Sequence, residues 1–434
     1  MPLHHTVRPL TLKNGAKGIL IDIPNTSVFC YELCFRAGNE FVRRKGIQQT
    51  AHILEHMSFQ GCKRYPTADA LSREFTKNGA YNNATTGQTS MTYYGDCAQM
   101  EWDRVLDIQL QALAEPIYTE QSLAVEKQNV LSELNGNCAN HGRLLWQAIG
   151  RSLGDKALSD AQKIATIDAV TLDDILEHYR RTHTLKNLRF AIGGPLAGNE
   201  TRLQQMLEDW QLRAGSGHLA PRQVTLKNGA PVSIMKEERQ DILFGLSIGL
   251  HRRLSHRENN AMAALNHILT GTFHSNIFGK ARDRGLSYSV GSSITEHIDG
   301  NAEWTFGGQV NHEHIDALLQ LMTNELQRVI DGTLDEKVVD ESIQFGLGTF
   351  EKSHQTVSEL VGSYASDYFF DETVELLDDI PGLIRSTSAR DIIAMAREFI
   401  RDGVWCYGEI GKVTEPETRA RSQILAPLFG GRTQ

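Results

Sequence analysis

Basic charge, paired cysteines and long apolar runs are all scarce in this 434-residue chain. Lysine and arginine number 44 against 53 acidic residues, a formal charge of −9, so there is no basic footprint of the kind a nucleic-acid partner requires. Apolar runs such as 18–23 and 242–250 fall far short of the roughly 18 residues that span a bilayer, which predicts no membrane partner. The opening residues MPLHHT lack a charged stretch followed by an apolar one, so no secretory leader is expected and a cytoplasmic location is. Six cysteines, at 30, 34, 62, 97, 138 and 406, form no Cys-x-x-Cys pair and no disulfide framework. Cys30 and Cys34 would share one face of a strand about 13 Å apart, too far to bridge, and read as reduced small hydrophobes. What remains is an ordinary globular composition, 40% hydrophobic and 22% charged. At about 100–200 residues per domain it predicts two domains.

The two domains are related. TLKNGA at 11–16 recurs letter for letter at 225–230, and His-Ile-Leu at 52–54 recurs at 267–269. Asn-Gly between apolar runs predicts a hairpin in each copy, because both turn residues tolerate positive φ. Strand-like runs follow at 28–36 and 242–250, then a helix at 46–60 or 259–269. In the first half come strands at 80–86 and 90–95, helices at 100–114 and 122–134, and a closing strand at 188–192. In the second half, strands at 286–294 and 302–310, a helix at 315–330 and a last strand at 404–410 complete the pattern. The expected fold class is α+β: two homologous sandwich domains, each a mostly antiparallel sheet with helices packed on one face. The expected division is 1–212 for the first domain, 213–223 (RAGSGHLAPRQ) for a linker and 224–434 for the second.

The sharpest chemical signal is His52-Ile53-Leu54-Glu55-His56. On a helix, positions 52 and 56 are about 40° apart and one turn along, so both imidazoles can reach one ion. Glu55 falls beside that face, within reach of a water held by the ion. A hydrolytic Zn²⁺ wants three protein ligands and an open position, and an adjacent carboxylate can take the proton of the water it acidifies. A chance match in a chain this rich in histidine has odds of order 1 in 30, so the flanks decide. Ala51, Ile53, Leu54, Met57 and Phe59 make the helix apolar, and unpartnered polar groups on such a helix would be costly. For a third ligand, the helix at 122–134 carries Glu126 and Glu133, nearly two turns apart on one face. One could complete the metal sphere while the other orients a ligand from behind.

Residues 46–66, GIQQTAHILEHMSFQGCKRYP, resemble the active-site helix of the pitrilysin/insulinase-type inverzincins, the HxxEH zinc peptidases that include mitochondrial processing peptidase. The resemblance covers nearly the whole chain and points to a two-domain member of bacterial type. It implies Glu133, 77 residues past His56, as third ligand of one Zn²⁺ per chain, and Glu126, seven residues earlier, as the carboxylate behind a ligand. GAYNNATTG at 79–87 resembles the family's edge strand, where Asn83 and Ala84 would meet an extended substrate. RDRGLSYSV at 282–290 resembles its substrate-gripping segment. There Tyr288 would donate to the scissile carbonyl oxygen and Arg282 would hold the substrate backbone. The family's arginine usually stands one position earlier, at Ala281. The second half carries Thr270 and Gly271 where the first has Glu55 and His56, so it is expected to lack metal chemistry.

The resemblance therefore implies a zinc metalloendopeptidase that hydrolyses peptides or unfolded segments inside a dimeric clamshell. Because one chain holds both motifs, a homodimer is expected. Two other readings are a noncatalytic peptide-binding or assembly subunit on the same scaffold, and a processing subunit active only with a partner chain. Other signals carry less. Gly150-Arg151-Ser152-Leu153-Gly154 matches a nucleophile elbow but sits in a helical pattern. The glycines at 193, 194 and 198 lack the Lys-Ser/Thr of a phosphate loop. His312-Glu313-His314 opens a helix as a solvated face, and His4-His5 lies at the terminus.

Overall fold

The computed structural model describes residues 3–430. By its internal contacts the chain forms two compact units, residues 1–136, 160–222 and 350–377 in one, residues 137–159, 223–349 and 378–434 in the other. The first contains a six-stranded sheet from β1 (Thr6–Thr11), β2 (Lys17–Asp22), β3 (Val28–Phe35), β4 (Tyr81–Thr86), β5 (Met91–Ala98) and β6 (Leu188–Gly194), in the order β1-β2-β6-β3-β5-β4. All neighbours are antiparallel except β2 and β6. The second unit contains β7 (Val232–Met235), β8 (Asp241–Leu250), β9 (Ser287–Glu296), β10 (Ala302–Asn311) and β11 (Val404–Gly411), in the order β7-β11-β8-β10-β9, with only β7 and β11 parallel. Strand for strand the second order repeats the first from β2 onward, so the repeat in the letters is a repeat in topology. Both sheets are the mostly antiparallel layers expected of an α+β sandwich.

The missing sixth strand traces to the repeated hexapeptide. At 11–16 it turns β1 into β2 through Gly15 at φ +91°, with Leu12 N–H donating to Ala16 O at 2.9 Å. At 225–230 the same letters form no strand. The Asn228 side-chain oxygen accepts from Trp405 N–H and Gly229 N–H donates to Trp405 O, which binds this irregular segment to β11 instead. A hairpin was expected in both copies and forms in one, because in the second copy the Asn-Gly groups bond to β11 rather than within their own segment.

One face of each sheet carries the main core. Phe29, Tyr31, Leu33 and Phe35 of β3 point into it in the first unit, and Trp405 and Tyr407 of β11 in the second. The opposite face is covered by a single helix drawn from the other half of the sequence. Helix Val357–Asp371 lies on β3 and β6, and helix His141–Leu153 lies on β8 and β11. Leu145, Ile149 and Leu153 recur every fourth residue and pack on Cys406 and Ile410. Glycine permits the close approach: a Cβ at Gly193 would stand 2.3 Å from Val361, and one at Gly245 2.8 Å from Ile149. The compact units thus exchange two segments relative to a division at 213–223. All five cysteines on or near the sheets, Cys30, Cys34, Cys62, Cys97 and Cys406, are buried and free, while Cys138 is half-buried and free. No helix of the described residues is long and apolar enough to cross a membrane.

Two buried histidines make the first unit acid-sensitive. His178 Nε2–H donates to Ala37 O (2.8 Å), and the ring is pushed down to about 4, chiefly by burial. His183, against the Tyr93 hydroxyl at 2.9 Å, is pushed down to about 3 by burial. Unfolded, both would take a proton near pH 6.5, whereas folded they resist it, so stability falls as pH drops from 6.5 toward 4 and is flat above. Each group contributes a slope of about 1.4 kcal/mol per pH unit inside that window. Urea midpoints should therefore fall between pH 6.5 and 5, and less so in His178→Gln; an equal fall in that variant would exclude His178 as a source.

Candidate metal centre

The helix Thr50–Met57 is fixed by its apolar positions. Ala51, Ile53, Leu54 and Met57 are fully buried in the core of the first unit. Just past its end, the Ser58 hydroxyl lies 3.0 Å from the Tyr93 hydroxyl on β5, which pins that end to the sheet. His52 and His56 consequently stand on the remaining face, ring centroids 4.8 Å apart. Glu133 comes from a second helix, Glu120–Cys138, and its Oε2 lies 3.4 Å from His52 Nε2 and 3.9 Å from His56 Nε2. One donor atom from each of the three residues falls within 4.8 Å of the others. A tetrahedral zinc with bonds near 2.0–2.1 Å places its donors about 3.4 Å apart. Two imidazoles and a carboxylate at this spacing are the donor set such an ion takes.

The rings are turned for that task. His52 Nδ1 meets Gln49 Oε1 at 3.2 Å, and His56 Nδ1 meets Glu126 Oε2 at 3.0 Å. With both Nδ1 positions facing acceptors, each proton sits there and each Nε2 lone pair faces Glu133. Glu126 is only 3% exposed, and buried carboxylates need donors around them. Gln60 Nε2 donates to its Oε1, and Asn129 Nδ2 donates to its Oε2 at 3.0 Å. Glu55, 8% exposed, is pushed above the usual carboxylate range mainly by burial. The Thr86 hydroxyl, near but outside hydrogen-bond geometry, and the His56 ring pull it down, while Glu133 pushes it up. A partly desolvated carboxylate one residue from a ligand is placed to exchange protons with whatever the ligands hold.

Asn83 and Ala84 lie on β4, an edge of the first sheet, as the sequence suggested. Their polar groups are engaged locally: Ala84 N–H donates to Asn83 Oδ1 at 2.8 Å, and Asn83 Nδ2 donates to the Tyr81 hydroxyl at 3.0 Å. In the second unit, Tyr288 is the second residue of the edge strand β9 and is 80% exposed. The Arg282 guanidinium lies over it, 4.8 Å from the ring centre, and over the Phe273 ring at 4.9 Å. Arg282 and Tyr288 therefore stand together even though the arginine is one position from the family's usual place.

Gln49, Gln60, Asn129 and Phe273 are the residues that sequence reasoning missed. Nothing in the types or spacing of the last three marks them. Only Gln49 carried a faint signal, three residues before His52 on an apolar helix where a buried amide calls for a partner.

Residues 24–155 match the family model described as insulinase, peptidase family M16, and residues 169–344 match the one described as the peptidase M16 inactive domain. The HxxEH helix falls in the first and Thr270-Gly271 in the second. A protein named as an uncharacterized zinc protease of Rickettsia bellii is 23% identical over 397 residues, which cover 89% of this chain and 93% of that protein. The mitochondrial-processing peptidase subunit beta of Caenorhabditis elegans is 28% identical over 177 residues, 39% of this chain and 38% of that one. Among solved structures, one described as a peptidase M16 inactive domain from Pseudomonas fluorescens aligns with TM-score 0.83 at 16% identity, over 94% of this chain and 98% of that chain. A protease from Helicobacter pylori aligns with TM-score 0.80 at 17% identity, over 94% and 100%. At these identities the structures speak for the fold alone. With the two family models together spanning most of its length, the chain belongs to the M16 insulinase family of peptidases.

Proposed function

We propose that the chain is a zinc-dependent endopeptidase that cleaves peptides or unfolded segments. The observation that carries this reading is the convergence of His52, His56 and Glu133 within 4.8 Å, with the buried carboxylate of Glu55 beside them. Zinc held by those three residues would supply a Lewis acid and acidify the attacking water. Glu55 takes the proton of that water and passes it to the leaving amine. Its burial favours the protonated state between the two transfers. Tyr288 donates its hydroxyl to the carbonyl oxygen as negative charge develops there, and Arg282, lying over the Phe273 and Tyr288 rings, binds the substrate backbone. The β4 edge, at Asn83 and Ala84, receives the substrate as an added strand once their local hydrogen bonds open. The active assembly is a homodimer that encloses the substrate, since one chain carries both the metal-binding and the gripping residues.

Three variants test the roles separately. Glu133→Ala should carry less than about a tenth of the wild-type zinc by elemental analysis, since two imidazoles alone make a weak site; full metal content would remove Glu133 from the ligand set. Glu55→Gln should keep its zinc yet cleave a quenched peptide about a thousandfold more slowly, and undiminished cleavage would refute the proton-transfer role. Tyr288→Phe should lower kcat roughly a hundredfold with KM little changed; a rise in KM alone would make the tyrosine a binding residue. Wild-type protein that binds zinc but cleaves only after a second chain is added would instead identify a processing subunit.

A further inference from the structure

The three metal donors belong to two separate elements, which share the apolar core of the first unit and are joined besides by a polar knot. Helix Thr50–Met57 carries His52 and His56, and helix Glu120–Cys138 carries Glu133. Glu126 projects from the second helix to His56 Nδ1 at 3.0 Å on the first. A carboxylate has two oxygens and only accepts. Here one oxygen is held by Gln60, which follows the first helix, and the other is shared by His56 and by Asn129 of the second helix. Because the partner is acceptor-only, both amide NH₂ groups must face it. Remove either amide and the 3%-exposed carboxylate can rotate toward the remaining donors, carrying the His56 ring with it.

We infer that Gln60 and Asn129 are positioning residues of the metal centre, holding Glu126 so that His56 presents Nε2 to the ion before any ion arrives. The inference rests on the metal reading above and adds two residues to it. The donors of His52, His56 and Glu133 already stand close enough to share an ion, which is the state such a lock would maintain. Each amide gives an N–H to Glu126, and neither is among the three converging donors. Their contribution is to affinity and ring orientation, not to a chemical step.

The test is zinc affinity of the full chain, by competition with a chromophoric chelator, together with the ¹⁵N shifts of His56 in zinc-free protein. Gln60→Leu and Asn129→Leu should each raise the zinc Kd about tenfold, and His56 should change from a single Nδ1–H tautomer to a mixture. A charge pair of similar length guards against simple loss of folding. Gln60→Lys keeps a donor and should stay within about threefold of wild type, whereas Gln60→Glu sets a second carboxylate against Glu126 and should lose about tenfold or more. Equal affinities for the Lys and Glu variants, or an unchanged His56 tautomer in both Leu variants, would overturn the inference. Wild-type protein that takes up no zinc would overturn the metal reading as well; wild-type uptake with unaffected variants would overturn this inference alone.

Discussion

Everything at the candidate centre depends on one contact, the 3.0 Å approach of Glu126 to His56. Helix pitch alone sets the distance between His52 and His56, because residues four apart share a face. Nothing local sets the distance from that pair to Glu133, which belongs to another helix. The Glu126 carboxylate crosses that gap. Its burial makes the crossing obligatory: an unpartnered buried carboxylate costs several kcal/mol, so the two helices must stay where its donors are satisfied. The same contact fixes which nitrogen of His56 carries the proton. The contact thus adds a polar tie, and a set ring orientation, to two helices whose apolar residues share one core.

The scaffold beneath that contact is interleaved. Helix Val357–Asp371 covers the face of β3 that carries Cys30, Glu32 and Cys34, although it lies far along the chain from that strand. Burial there pushes Glu32 up to about 7. Glu372, in a left-handed conformation at the end of this helix, pairs with Arg189 of β6 and Lys17 of β2. A chain cut at 213–223 would strip that cover from the first sheet and leave Gly193 facing water where it now receives Val361. A division by sequence repeat and a division by packing differ for this reason: the repeat records the strands and the core helices, while each sheet's outer cover comes from the other half.

What could be read from the letters was what short range determines. The spacing of His52, Glu55 and His56 needs only a helix, and the apolar flanks supplied one, so that part of the centre was legible. Glu133 and Glu126 were legible as a pair on one face, but their separate roles came from family resemblance, since no local rule says which of two glutamates reaches a helix some 70 residues away. Gln60 and Asn129 were invisible because an amide acquires meaning only from what it faces, and Glu126 is brought to it by tertiary packing. The clearest case is TLKNGA. Identical letters make a hairpin at 11–16 and an irregular segment docked on Trp405 at 225–230, where Asn228 found a backbone donor outside its own segment. Propensity proposed the turn in both places and the surroundings chose its use.

The second half shows what the same frame does without the chemistry. At the offset of 215 that relates His52 to His267, Glu55 becomes Thr270, His56 becomes Gly271, Glu126 becomes Glu341 and Glu133 becomes Gly348. Two of the three converging donors and the neighbouring buried carboxylate have no counterpart there, while one histidine and the rear glutamate do. The backbone has changed with them: residues His267–Gly271 form a π-helical turn at the end of helix His256–Asn266. His267 no longer faces a partner ring on its own helix and stacks instead on Phe345, 3.9 Å between centroids. The Thr270 hydroxyl donates to Asn266 O at 3.1 Å, lies 2.7 Å from the Ser292 hydroxyl of the edge strand β9, and accepts that residue's N–H. The position that carries the buried Glu55 carboxylate in one unit thus ties helix to edge strand in the other. A hydroxyl satisfied by neutral hydrogen bonds carries none of the desolvation cost of a buried carboxylate there. Arg282 and the exposed Tyr288 stand on the helix beside that edge strand and on the strand itself.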